Sequence, residues 1–186
     1  MTIPTRRRST ADERRATVMR TAIATFAKRG YYGTSTMDVA KAADISQGYL
    51  YRLFKDKETL FATLVHYCSD RLREDLALAA AAVRTTDPQE ILRALSGSYD
   101  EVIADRQVLM ILMHAQCSAG EPVIGEAVRQ CYAKQVEHLR ALSGASDEQI
   151  GRFFADALLK NVMAAIDATD IDAPWTRTLH AGAAAS

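Results

Sequence analysis

Only three cysteines, Cys68, Cys117 and Cys131, occur among the 186 residues. An odd and widely spaced set argues against a disulfide framework and fits a reducing, cytoplasmic setting. No apolar run approaches the roughly 18 residues that a membrane helix needs, so no membrane partner is expected. The N-terminus, MTIPTRRRST, is basic but lacks the apolar stretch of a secretory signal. Strand-like alternation is missing, and so is any internal repeat. There is no Gly-rich phosphate loop, no Cys/His metal spacing and no Ser-centred elbow. These absences predict a protein that is not an enzyme and uses no metal or cofactor.

What remains is helical. Hydrophobic residues make up 48% and charged residues 25%, ordinary values for a globular chain. The length suits one sizeable core, or a small and a medium domain. Ala, Leu, Arg, Glu and Gln fill the periodic segments, which predicts an all-α fold. The net charge of zero hides a split: residues 1–60 hold 12 Lys/Arg against 6 Asp/Glu, whereas residues 61–186 hold 11 against 17. A basic first third beside an acidic remainder implies that only the former faces a polyanion.

Eight helices are expected. The first spans Ala11 to Arg29, with Thr10 and Glu13 as a capping box, Gly30 as its stop, and Val18, Ala22, Ile23 and Phe26 on one face. The next two are short: Met37–Ala43, capped by Ser35 or Thr36, and Gln47–Phe54, capped by Ser46. A fourth opens after Asp56 and runs towards Val83. Asp87-Pro88-Gln89-Glu90 marks the start of a fifth, to Ala104. A sixth covers Arg106–Ser118. A seventh runs from Glu121-Pro122 to Ser143-Gly144, and an eighth from Asp147 to Ala168. A turn or short helix should follow Asp170, and then fraying.

The stretch Thr34–Phe61, TSTMDVAKAADISQGYLYRLFKDKETLF, carries most of the information. Two short helices joined by a tight turn form a helix-turn-helix, whose second helix suits the DNA major groove. Ala40 and Ala43 permit close packing, and Val39, Ile45 and Leu50 join Phe26 and Phe54 in a small core. The turn falls at Ala43-Asp44-Ile45, where Asp44 must tolerate a left-handed backbone. Ser46 and the exposed amides at the helix start can meet a phosphate. Gln47 can pair with adenine, and Gly48 lets the backbone approach the duplex. Tyr49 can touch a thymine methyl or a sugar; Tyr51 and Lys57 can bind phosphates. Thr36 joins this candidate DNA-binding set. Arg52 and Lys55 fit either a phosphate contact or plain solvation. Phosphate contacts position a protein, and base contacts specify the sequence. Arg6, Arg7 and Arg8 form a basic arm that can reach phosphate or the minor groove. Arg52 is the only cation between Ser46 and Phe54, which keeps open a helical adaptor that does not bind DNA.

This stretch resembles the DNA-binding signature of the tetracycline-repressor (TetR) family of bacterial regulators. The matching features are Gly30, Tyr31-Tyr32-Gly33-Thr34-Ser35, Met37-Asp38-Val39-Ala40-Lys41-Ala42-Ala43, Ser46-x-Gly48, Tyr51-Arg52-x-Phe54 and Lys57-Glu58-x-Leu60-Phe61. The likeness covers residues 10–65 in detail. Asp44 replaces the usual turn Gly, and Leu53 stands where His is common. The resemblance implies a helix-turn-helix domain over residues 1–55 and a helical ligand-binding and dimerisation domain over residues 56–186. It also implies a homodimer on a near-palindromic operator, with half-sites about 34–36 Å apart or a multiple of a turn. A small-molecule effector would alter that spacing.

In the acidic remainder, the sixth helix (VLMILMHAQC) is apolar nearly all round. Met110, Met113, His114 and Cys117 share one face and form candidate pocket residues with Tyr99, Ile103, Leu64 and Tyr67; plain core is the competing account. His114 and Cys117 alone make no metal site. Such a pocket fits an aromatic, lipid-like or drug-like effector. On the eighth helix, Phe153, Phe154, Ala157, Leu158, Val162 and Ile166 exceed one core stripe. Helices seven and eight are therefore the candidate dimer face, with deep burial in a monomer as the alternative.

Overall fold

The computed structural model describes residues 11–184, and helix is its only regular secondary structure there. The helices are α1 (Ala11–Arg29), α2 (Thr36–Ala42), α3 (Gln47–Leu53), α4 (Lys57–Ala82), α5 (Pro88–Ala104), α6 (Arg106–Cys117), α7 (Pro122–Ser143), α8 (Asp147–Ala165) and α9 (Pro174–Ala184). Thr10 and the basic arm Arg6–Arg8 lie outside the described residues.

Side-chain caps set most boundaries. Ser35 caps α2 in a reciprocal box with Asp38, so Thr36 is the first helical residue. Asp56 caps α4 through Thr59, and Asp87 caps α5 through Gln89, with Pro88 in the first turn as expected. Ser146 and Gln149 form the box that opens α8. Asp44 adopts φ 52°, the left-handed turn expected of it.

The eighth helix is shorter than its sequence pattern predicts, stopping at Ala165 rather than Ala168. Asp167 turns left-handed at φ 54°, and the Ala168 amide returns to the Met163 carbonyl at 2.9 Å. Arg106 holds that end by donating to the carbonyls of Ala164 and Ala165 and to the Asp167 carboxylate. A cation at a helix C-terminus satisfies acceptors that the helix itself leaves open. The third helix likewise ends at Leu53 and the sixth at Cys117, each one residue early.

The core begins between α1, α2 and α3, where Val18, Ala22, Phe26, Val39, Leu50 and Phe54 are buried. It continues without a break along α4, because Leu60, Phe61, Leu64, Val65, Cys68, Leu72 and Leu76 are buried too. Phe61 is the joint: its ring lies 5.0 Å from Phe26 and 5.4 Å from Tyr31. Helix α4 packs mainly on α7 and α5, while α1 packs on α6. Hence the polar surface of α2 and α3 rests on a frame that reaches deep into the remaining helices.

Candidate nucleic-acid interface

Three polar side chains are joined across the front of α2 and α3. Gln47 Nε2 donates to Thr36 Oγ1 at 2.8 Å, and Thr36 Oγ1 lies 3.1 Å from the Tyr51 hydroxyl. Thr36 therefore fixes both neighbours while Tyr51 stays 46% exposed. Ser46 accepts from the Tyr49 amide at 3.1 Å, which starts α3 at the expected residue. The Arg52 guanidinium lies 5.0 Å from the Tyr49 ring centre. A Cβ added at Gly48 would meet nothing within 4 Å, so no contact within the described residues requires glycine there.

Lys57 is only half-exposed, and its ammonium lies 4.2 Å from the Tyr31 ring centre. Burial lowers its pKa from the ordinary lysine value, opposed by Glu121. Asp38 is held below the usual carboxylate value, first by the Ser35 hydroxyl and then by its backbone amide. Two contacts escaped sequence reasoning. Arg15 donates to the Leu53 carbonyl at 3.1 Å and covers the Phe54 ring, fixing the far end of α3. Glu58 accepts from the Val123 amide at 2.8 Å, serving the first turn of α7, whose N-cap residue Glu121 makes no side-chain cap.

The expected pocket residues scatter. Leu64 is core, and Tyr67 is 47% exposed. The face bearing His114 turns towards α1, not into a chamber: a Cβ on Gly30 would sit 3.0 Å from the His114 ring, and His114 Nε2 lies 3.4 Å from the Ala27 carbonyl. Cys117 is exposed, and Met110 and Met113 are half-buried. A helix apolar on all sides does not reveal which face meets a cavity. The structure uses Leu112, Ala115 and Gln116 instead, in a chamber of about 50 Å³ bounded by α4 to α8. Tyr99 is the one expected pocket residue that lines it; Ile103 lines a separate groove of about 860 Å³ between α5, α8 and α9.

The candidate dimer set also divides. Phe153, Phe154, Ala157 and Leu158 line the chamber, whereas Val162 and Ile166 are exposed; Leu158 is partly in both groups at 39% exposure. Trp175 and Leu179 on α9 and Val123 on α7 are exposed as well. The chamber also contains residues not singled out in the sequence. Tyr99 donates to Asn161 Oδ1 at 2.8 Å, and Gln116 Nε2 donates to the Tyr132 hydroxyl at 3.0 Å. A signal for Asn161 existed: a lone amide four residues beyond Ala157, within an apolar helical stripe.

A small three-helix unit whose second and third helices are joined by a tight turn, seated on a larger helical body, is a helix-turn-helix architecture. Residues 18–64 match the family described as "Bacterial regulatory proteins, tetR family". That segment of the chain carries the TetR-type DNA-binding domain. It is 33% identical over 85 residues to the HTH-type transcriptional regulator AcrR of Shigella flexneri, covering 46% of this chain and 39% of that one. Over 148 residues it is 28% identical to a protein of Escherichia coli (strain K12) named "Probable acrEF/envCD operon repressor", covering 77% and 67%. The crystal structure of FadR from Bacillus subtilis in complex with stearoyl-CoA shares the fold at a TM-score of 0.71 and 12% identity, covering 91% of this chain and 95% of that one. Several curated relatives are matched over only part of their length, between 20% and 39%. No helix among the described residues is long and apolar enough to cross a membrane.

Proposed function

We propose that this regulator is a cytoplasmic, non-enzymatic repressor that binds operator DNA as a homodimer and is released by a small, largely apolar effector. Residues 1–55 would read DNA, and residues 56–186 would hold the effector and the partner. The observation that carries this reading is the linked trio Thr36, Gln47 and Tyr51. It spends three polar side chains on an exposed face that the core does not need, beside an unfilled Gly48. Gln47 and Tyr49 would touch bases, while Thr36, Ser46, Tyr51 and Lys57 would hold phosphates. Leu158, Val162 and Ile166, exposed at four-residue spacing along α8, would supply an apolar stripe for a partner copy. The effector would favour a conformation with wrongly spaced half-sites, so operator affinity falls by its differential binding energy.

The test is a gel shift on the DNA upstream of the protein's own gene. Tyr51→Ala combined with Lys57→Ala should weaken binding by more than about 100-fold, on the scale of two lost charge-assisted contacts. Circular dichroism should stay helical, because Tyr51 is exposed. An unchanged gel shift would remove these residues from the interface.

A further inference from the structure

We propose that the chamber between α4 and α8 takes a small, electrically neutral aromatic ligand bearing a hydrogen-bond-accepting oxygen, and discriminates against ions of either sign. This deepens, and rests on, the effector reading of that chamber.

None of the 17 residues lining the chamber is Asp, Glu, Lys, Arg or His. An unpaired ion taken into such surroundings loses several kcal/mol of hydration with nothing to replace it. The titratable groups of the wall are also held neutral. Burial pushes the Tyr99 hydroxyl up to about 12 and raises Tyr132 and Cys131. Behind the wall, His66 Nδ1 lies 3.5 Å from Cys131 Sγ, and burial, then Lys134, lowers its pKa below the ordinary value. That imidazole is therefore held further towards its uncharged form than a free one at pH 7.

Four rings follow one another around the chamber. Tyr99 meets Phe153 at 6.3 Å and 76°, Phe153 meets Phe154 at 6.2 Å and 86°, and Phe154 meets Tyr132 at 5.9 Å and 51°. Edges and faces alternate, which suits a flat ring inserted among them. At about 50 Å³ the space is smaller than the roughly 150 Å³ of a cavity known to bind benzene. A ligand must make room, and the half-buried Phe153 and Phe154 are the side chains able to swing.

Asn161 is only 4% exposed, and its Oδ1 is taken by Tyr99. Its Nδ2 remains as a donor. The Tyr132 oxygen accepts from Gln116, so the phenolic proton of Tyr132 is free to donate. One donor on α8 and one on α7 call for an acceptor oxygen, such as a phenol or carbonyl. Stearoyl-CoA, bound by the structurally similar FadR, carries phosphates for which this wall offers no cation.

Phe153 is also a wall of the 860 Å³ groove, where Lys160 pairs with Asp100 and Ser96. A ligand that reached past Phe153 would meet those charges, and the experiment exposes that case. Calorimetry on the full-length chain at pH 7.5 compares 2-naphthol, 2-naphthoate and 2-(aminomethyl)naphthalene. The neutral phenol should bind at least 100-fold more tightly than either ion. Asn161→Leu should weaken 2-naphthol about tenfold and leave naphthalene unchanged; Tyr132→Phe, which keeps the ring, should do the same. Binding of either ion within tenfold of the phenol, loss of naphthalene together with 2-naphthol in both variants, or no binding by any probe overturns the proposal. Operator affinity measured without ligand is a separate outcome. A chamber that binds 2-naphthol without releasing DNA would end the effector reading and leave the ligand class standing.

Discussion

Gln47 and Asn161 are both amides on helices, and they are put to opposite uses. Gln47 stands half-buried at the start of α3, bonded to Thr36 eleven residues away. Asn161 is buried in α8 and bonded to Tyr99 sixty-two residues away. The surface of α2 and α3 is thus assembled by short-range rules, with polar groups facing outward. The chamber is assembled by five helices, with a few polar groups facing inward among rings. Exposed polar groups cost little in stability and are free to serve a partner. Buried ones must be satisfied or must await a ligand.

Several changes would break or sharpen this contrast. The largest effect should come from Gly48→Ala. On a surface built for an outside partner, a methyl group should lower operator affinity at least tenfold. With nothing within 4 Å to oppose it, the same methyl should stabilise the free protein by about 0.5–1 kcal/mol. Gel shift and urea denaturation read the two effects; a loss of both would mean that Gly48 serves the fold.

A smaller effect is expected where the two regions meet. Glu58→Ala removes the acceptor for the Val123 amide at the start of α7, a helix that also lines the chamber. Stability should fall by about 1 kcal/mol. An effector should also release DNA less fully than from the parent chain. Glu58→Gln keeps an acceptor and should restore most of both. Equal behaviour of the two variants would show that this bond carries nothing between the regions.

Acid should separate the regions most gently. His66, beside the chamber, has a folded pKa below its ordinary 6.5, so its neutral form contributes stability above about pH 6.5 that is lost as pH falls through the folded value. Asp38 in α2 and Asp56 at the start of α4 have folded pKa values below 3.8, through Ser35 and Thr59 respectively. Their contribution survives until pH drops beneath that value. The melting temperature should therefore decline between pH 6.5 and 5 in the parent and stay level in His66→Gln. Similar declines in both would exonerate His66.

The same contrast explains what the sequence made legible. Ser35, Ser46, Asp56 and Asp87 mark their helices through contacts two or three residues away, so the boundaries could be read from neighbours in the chain. The left-handed Asp44 followed from the same local logic. The chamber did not, because its walls come from helices remote in sequence. The sixth helix offered apolar residues on every side, and only packing on α1 decided that His114 would face Gly30. On α8, one apolar stripe serves both the chamber, through Phe153 and Phe154, and the exposed surface, through Val162 and Ile166. Periodicity alone does not divide those tasks.

The most direct measurement is fluorescence anisotropy of the full-length chain on its own upstream DNA and on a scrambled duplex, across a series of salt concentrations. The account predicts that log affinity falls linearly with log salt, as phosphate contacts release counterions. It also predicts that the upstream sequence binds at least about 1,000-fold more tightly than the scrambled one. Equal affinity for the two duplexes, or binding indifferent to salt, would contradict it.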